Sequence, residues 1–268
     1  MRKRKLFKEL EFKDAFLFAA ALEDAELCRL MLERILGFPI RKVVVHTEHA
    51  IAVNPDYRGV RLDVYADDEN GSVYNVEMQT TDEGNLAKRS RCHQGQMDVS
   101  LLEPGTKFQQ LPDSYVIFIC TFDPFGRGLY RYTCYPVCKE DGKPLLDGTC
   151  RIFLNTHGTN ADEVPEELVD FLNYVEHSCL PAAGEDDLLQ RLQSRISTLK
   201  HSRVMEERYM LFGEMLEDER REGREEGRTS MLSLIEALLN DDRTADIPRL
   251  SKEPEFLKEM LEDYHIEA

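Results

Sequence analysis

The stretch Asp67-Asp68-Glu69-Asn70-Gly71 stands between two runs of strand-forming residues, Val60 to Ala66 and Val73 to Thr80, and it constrains this chain more than any other feature. Turn residues between two such runs specify a hairpin, and the loop length then decides which side chains share a face. A three-residue loop Glu69-Asn70-Gly71, with Gly71 as the left-handed residue of a bulge, sets Leu62 against Met78, Val64 against Val76 and Ala66 against Tyr74. A two-residue Asn70-Gly71 turn would set Leu62 against Gln79 and Val64 against Glu77, driving a whole apolar set to the wrong face. Apolar matching selects the first register. On the opposite face, that register predicts Asp63 across from Glu77 and Arg61 across from Gln79. Like charges opposed on a sheet destabilise it unless something compensates, and a divalent cation held by carboxylate oxygens is one compensator. A solvated polar face relieved by Arg61 is the other reading, and the pattern alone leaves both open.

Around this hairpin the periodicity places further elements. Residues 10 to 36 read as two short helices, the second capped by Asp24 and ended by Gly37 and Pro39. Val43 to Val53 is a strand candidate. A helix is expected from about Asn85 to Glu103, then strands at Tyr115 to Phe122, Leu129 to Val137 and Arg151 to Leu154. From Pro165 onward the pattern is helical, over Glu166 to His177 and Asp186 to Glu226. The repeated Glu-Gly-Arg of residues 221 to 228 reads as a solvated, fraying helix or hinge, since each glycine costs about 1 kcal/mol against alanine in a helix. Glycines on one face that let two helices pack closely are the weaker reading.

Charge and cysteine usage exclude several classes. With 51 acidic and 34 basic residues, a net charge of −17, the chain is no nonspecific nucleic-acid coat, although a local basic surface is compatible. Residues 181 to 268 carry 22 of those acids. The apolar runs, Phe16 to Leu22 and Tyr115 to Cys120, fall short of the roughly 18 residues a spanning helix needs. The basic opening MRKRKLF is followed by charges rather than an apolar stretch, so a cytoplasmic protein is expected. Seven scattered cysteines without a CxxC pair read as reduced thiols; Cys134 and Cys138 with Cys150 nearby could be drawn as a metal site, but Cys120, Cys134 and Cys138 lie in or near apolar strand-like runs and read as small hydrophobes. His46 and His49, three apart on a strand, point to opposite faces. No phosphate-binding loop, dinucleotide fingerprint or HExxH occurs.

The element order, with Asp63 on the second strand and Glu77-Met78-Gln79 on the third, resembles the PD-(D/E)XK nuclease superfamily and, more closely, the Rpn family of recombination-promoting nucleases and transposases. The matching segments include Lys13-Asp14 with Phe16 and Phe18, Ile35-Leu36-Gly37, Gly59 to Tyr65 and Val76-Glu77-Met78-Gln79. They continue through Lys88 to Arg91, Tyr115 to Cys120, Asp123-Pro124-Phe125 and Ile152 to Asn155. Relatives commonly have two aromatic residues after the arginine where this chain reads Arg91-Cys92-His93-Gln94.

The resemblance implies a restriction-endonuclease-like αβββαβ core, a mixed sheet flanked by helices, over residues 1 to 180. A charged helical region, 181 to 268, follows as a candidate for self-association or partner binding. It implies Mg²⁺-dependent hydrolysis of DNA phosphodiesters linked to recombination or mobile elements, with Asp63 and Glu77 as metal ligands, aided by the Met78 carbonyl. Asp14 is a further ligand candidate, and a helix N-terminal acid interacting with the dipole is its equal alternative. Gln79 stands where the wider superfamily usually has lysine; it can orient water or donate to a phosphate oxygen but carries no charge. Arg61, Lys88, Arg89 and Arg91 are the expected DNA contacts. A nuclease fold with little catalysis, acting as a DNA- or protein-binding module, is the rival reading.

Overall fold

The computed structural model describes residues 5–46, 50–51, 60–61, 63–102, 104–105, 107–181 and 186–266. The chain divides into two compact units, the first running through Ser202 and the second starting at Arg203.

The first unit opens with α1 (Ala15–Leu22) and α2 (Ala25–Leu36). Almost wholly apolar, α1 is buried along most of its length, as a helix without a polar face must be. The Asp24 carboxylate caps α2 by accepting from the Glu26 and Leu27 N–H groups at 3.0 and 3.1 Å, and Gly37 ends it at φ 80°. The strands β1 (Val43–His46), β4 (Val64–Asp68), β5 (Val73–Gln79), β6 (Ser114–Cys120), β7 (Arg131–Cys134) and β8 (Thr149–Asn155) form one mixed sheet in the order β1-β4-β5-β6-β8-β7. β5, β6 and β8 run parallel, and the remaining pairs are antiparallel. α3 (Leu86–Leu101) makes the crossover that a parallel β5–β6 pair requires.

The hairpin has the register that apolar matching selects: Val64 faces Val76 and Ala66 faces Tyr74. Gly71, at φ 84°, donates its N–H to the Asp68 carbonyl at 3.0 Å, and the Asp68 N–H reaches the Ser72 carbonyl at 3.0 Å. The Leu62–Met78 pair lies outside the described residues. Val60 to Ala66 is not one strand. Val60–Arg61 forms β3, paired with β2 (Ala50–Ile51) in a separate ribbon where Arg61 opposes Ala50, so the expected Arg61–Gln79 pairing does not form. The ladder breaks at Asp63 because its carboxylate takes the Met78 N–H at 3.0 Å, a local competitor of backbone pairing.

The sheet is buried on both faces, as parallel strands require. Val116, Phe118, Cys120 and Phe153 cluster with Leu86 and Met97 of α3. The opposite face, with Tyr74, Val76, Met78, Ile117, Ile119 and Leu154, is equally buried. There α1 reaches β5 and α2 reaches β1, backed by α4 (Glu166–His177) and α5 (Asp187–Lys200).

In the second unit α6 (Arg203–Asn240) is helical through the Glu-Gly-Arg repeat. Its end packs Leu234 and Leu238 against Leu250 of α7 (Ile247–Leu250) and Met260 of α8 (Pro254–Asp263). Among the described residues no helix is long and apolar enough to cross a membrane.

Space is open around Gly71, so only its backbone conformation opposes a side chain there. Gly71→Ala is expected to lower stability by about 1–2 kcal/mol, the cost of a left-handed L-residue, measured by urea denaturation. An unchanged midpoint would show that the bulged turn does not form.

Candidate active site

Alternation along β5 puts Val73, Asn75, Glu77 and Gln79 on the face that α3 covers. The carboxylate of Glu77 is therefore not on a solvated surface: it is 1% exposed. Across the hairpin the bend at Asp63 turns that residue onto the same spot. Its N–H lies 3.4 Å from Glu77 Oε1 while its own carboxylate holds the Met78 N–H. The two acids are thereby interlocked, each carboxylate facing the other residue's segment.

α3 supplies the polar lid. Arg89 donates through Nη1 to Gln79 Oε1 at 3.2 Å and through Nη2 to Glu77 Oε2 at 3.4 Å, with its guanidinium carbon 5.7 Å above the centre of the Phe118 ring. One turn later His93 is buried, its Nδ1 3.1 Å from Asn75 Nδ2 and 3.6 Å from Glu77 Oε1. Its ring lies tilted on Phe118 with 5.7 Å between centres, so it takes up interior aromatic packing on this helix. Asn75 Oδ1 is buried without a partner among the described residues.

The electrostatics follow from burial. Loss of water pushes the Glu77 carboxyl well above the usual range, and the Asp63 carboxylate adds to the shift. Arg89, Asn75 and the Asp63 N–H oppose it without cancelling it. Burial, and secondarily Arg89, depress His93 to about 4, so its ring is neutral at pH 7 and Nδ1 accepts from the Asn75 amide. A desolvated carboxylate beside a second carboxylate is a hard oxygen donor set whose charge Arg89 offsets only in part, and this fits a divalent cation.

The structure thus gathers Asp63, Glu77, Gln79 and Arg89. Asp14 stands elsewhere, at the start of α1, where its carboxylate accepts from Lys5 Nζ at 2.9 and 3.1 Å and from the Glu11 N–H at 2.7 Å. Among the described residues no three His, Cys, Asp or Glu side chains gather as a ligand set. Lys88 and Arg91 are exposed. Arg91, about 200° around the helix from Arg89, lies on the side of α3 away from the sheet. Sequence reasoning missed Asn75 and His93. Their signal was spacing alone, two residues before Glu77 on a strand and four after Arg89 on a helix.

His46 Nε2 bonds Asp67 Oδ1 at the sheet edge, and His49 lies outside the described residues. All seven cysteines are free.

A family model described as PD-(D/E)XK nuclease family transposase matches residues 8–178. Comparisons with curated proteins and with solved structures give no match.

The raised pKa of Glu77 has a signed consequence. An acid whose folded pKa lies above its unfolded value supports stability fully below the unfolded value, near 4.5, and loses that support as pH rises through the folded one. Without divalent metal, Glu77→Gln should therefore raise the melting temperature at pH 8, with the gain fading toward pH 4.5. Each kcal/mol relieved corresponds to about 2–4 °C in a domain of this size. Calorimetric scans across that range check it, and a variant less stable than the parent at pH 8 would contradict it.

Proposed function

The chain belongs to the PD-(D/E)XK nuclease family transposases, and from that premise we propose that it is a metal-dependent DNA endonuclease acting in recombination or on mobile elements. The family has nuclease or transposase-like function and typically uses divalent cations. The observation that carries the proposal is the buried Glu77 carboxylate held against Asp63. Asp63 and Glu77, with the Met78 carbonyl, would hold Mg²⁺ or a similar hard cation, which when bound polarises a phosphoryl oxygen and acidifies water.

The chain's own groups supply the rest. Gln79, on the rim of the same face, orients the attacking water or donates to a phosphate oxygen. Lys88 and Arg91 on the exposed side of α3, with Arg61 at the end of β3, hold the DNA backbone. We assign the nuclease-like domain to residues 1 to about 180, buttressed by α5. Of the acidic region 181–268, the part beyond α5 is assigned to self-association or partner binding.

Neutral Gln79 favours one second reading, a nuclease fold that binds DNA or protein with little catalysis. Nicking of supercoiled plasmid with and without Mg²⁺ separates the two. The proposal requires metal-dependent nicking that Asp63→Ala abolishes, together with Mn²⁺ binding by calorimetry that Asp63→Ala and Glu77→Ala both lose. Metal binding without nicking would favour the second reading.

Two further outcomes are expected. Gln79→Ala should slow nicking by about 10–100-fold with Mn²⁺ affinity nearly intact; normal cutting across a full metal titration would leave Gln79 a structural strand residue. The Lys88→Ala/Arg91→Ala pair should weaken binding of a DNA duplex and flatten its log–log salt dependence by about 1 for each phosphate no longer neutralised. An unchanged slope would remove both from the interface.

A further inference from the structure

Arg89 stands apart from the other basic residues of α3. It is tied to the acid pair from within the site, whereas Lys88 and Arg91 are exposed. Its two bonds use one N–H on each Nη atom and leave three donors. Its side chain remains 33% exposed, so unlike Glu77 it is not sealed beneath α3. Hydrolysis of a phosphodiester builds negative charge on the non-bridging oxygens, and two carboxylates beneath them make that charge harder to place. A fixed cation at this point answers both.

We propose that Arg89 is the cationic catalytic residue of this site: its outward N–H groups take a non-bridging oxygen of the scissile phosphate, while Gln79 and Glu77 hold the guanidinium in place. This assignment rests on the nuclease reading and gives Arg89 a role distinct from a backbone tether. Three restraints, the Gln79 amide oxygen, the Glu77 carboxylate and the Phe118 ring, hold it against the sheet face beneath α3. Such preorganisation is what transition-state stabilisation requires and what a tether does not need. The bond between Gln79 and Arg89 also yields a relocation test, since a lysine at position 79 would bring its ammonium to the space the guanidinium now fills.

The experiment uses the full chain and supercoiled plasmid with Mg²⁺, comparing the parent with Arg89→Ala, Arg89→Lys and the double variant Gln79→Lys/Arg89→Ala. Mn²⁺ calorimetry and fluorescence anisotropy of a DNA duplex in Ca²⁺ accompany it. Arg89→Ala should lower the nicking rate at saturating DNA by about a hundredfold or more, the usual loss for one preorganised donor, with duplex affinity reduced by no more than about threefold. Arg89→Lys and the double variant should each recover at least about tenfold of that rate. Mn²⁺ should bind Arg89→Ala at least as tightly as the parent, because a cation competing for Glu77 Oε2 is gone.

The role is overturned if Arg89→Ala nicks at the parental rate, if its defect lies wholly in duplex affinity, or if neither lysine variant recovers activity. Loss of Mn²⁺ binding in Arg89→Ala would also overturn it, making the arginine a structural clamp on Glu77. A parent that does not nick overturns the nuclease reading and this role with it, whereas a nicking parent with an equally active Arg89→Ala overturns the role alone.

Discussion

Burial of one carboxylate governs this structure. Glu77 sits on the middle strands of the sheet beneath α3, where a charged group has lost its water and faces a second acid. Proteins bury such a group only where something else compensates. Arg89, Asn75 and the Asp63 N–H give partial compensation, and the arrangement around them follows from that need: a helix whose inward face carries arginine and histidine, and an asparagine two residues back along the strand. An apolar core would have been simpler at this position. The polar cluster under α3 is thus better explained by chemistry than by stability.

Sheet topology determines where that chemistry can be reached. β5 and β6 run parallel, so the chain must cross over between them, and α3 returns it across the face carrying Glu77. The connection at 80–85 is short, which brings the first turns of α3 over the carboxyl end of β5 and places Arg89 against Gln79. Open α/β sheets characteristically present ligand sites beyond the carboxyl ends of their strands. Here Asp63 is half-buried while Glu77 is fully buried beneath α3.

How much of this was legible depends on the kind of interaction. The hairpin register was readable because parity is unforgiving: one residue of slip would have set Val64 against Glu77 instead of Val76. The Asp24 cap and the Gly37 stop were readable because each residue type has a backbone reason to be there. The break at Asp63 was not, since a side chain taking a neighbouring strand's N–H leaves no mark on the hydrophobic pattern. Nor was the burial of the polar face. Asn75, Glu77 and His93 look solvated in sequence, and only the three-dimensional return of α3 shows that they are inside. The glycines of α6 left a solvated helix or a hinge open, and the stretch is a helix, exposed at its described residues.

The same distinction separates the basic residues of α3. From sequence, Lys88, Arg89 and Arg91 form one cluster, and a cluster suggests one shared role. Helical geometry divides them, because neighbours in sequence are about 100° apart around the axis. One position turns Arg89 inward onto Phe118 and the acids, where low dielectric strengthens its interactions, and leaves Lys88 and Arg91 in water, where salt screens theirs. In an acidic chain, positive charge half-buried against two carboxylates is screened less than the same charge spread over the surface. A net charge of −17 is therefore compatible with the proposed phosphodiester substrate, because the attraction that proposal needs is local.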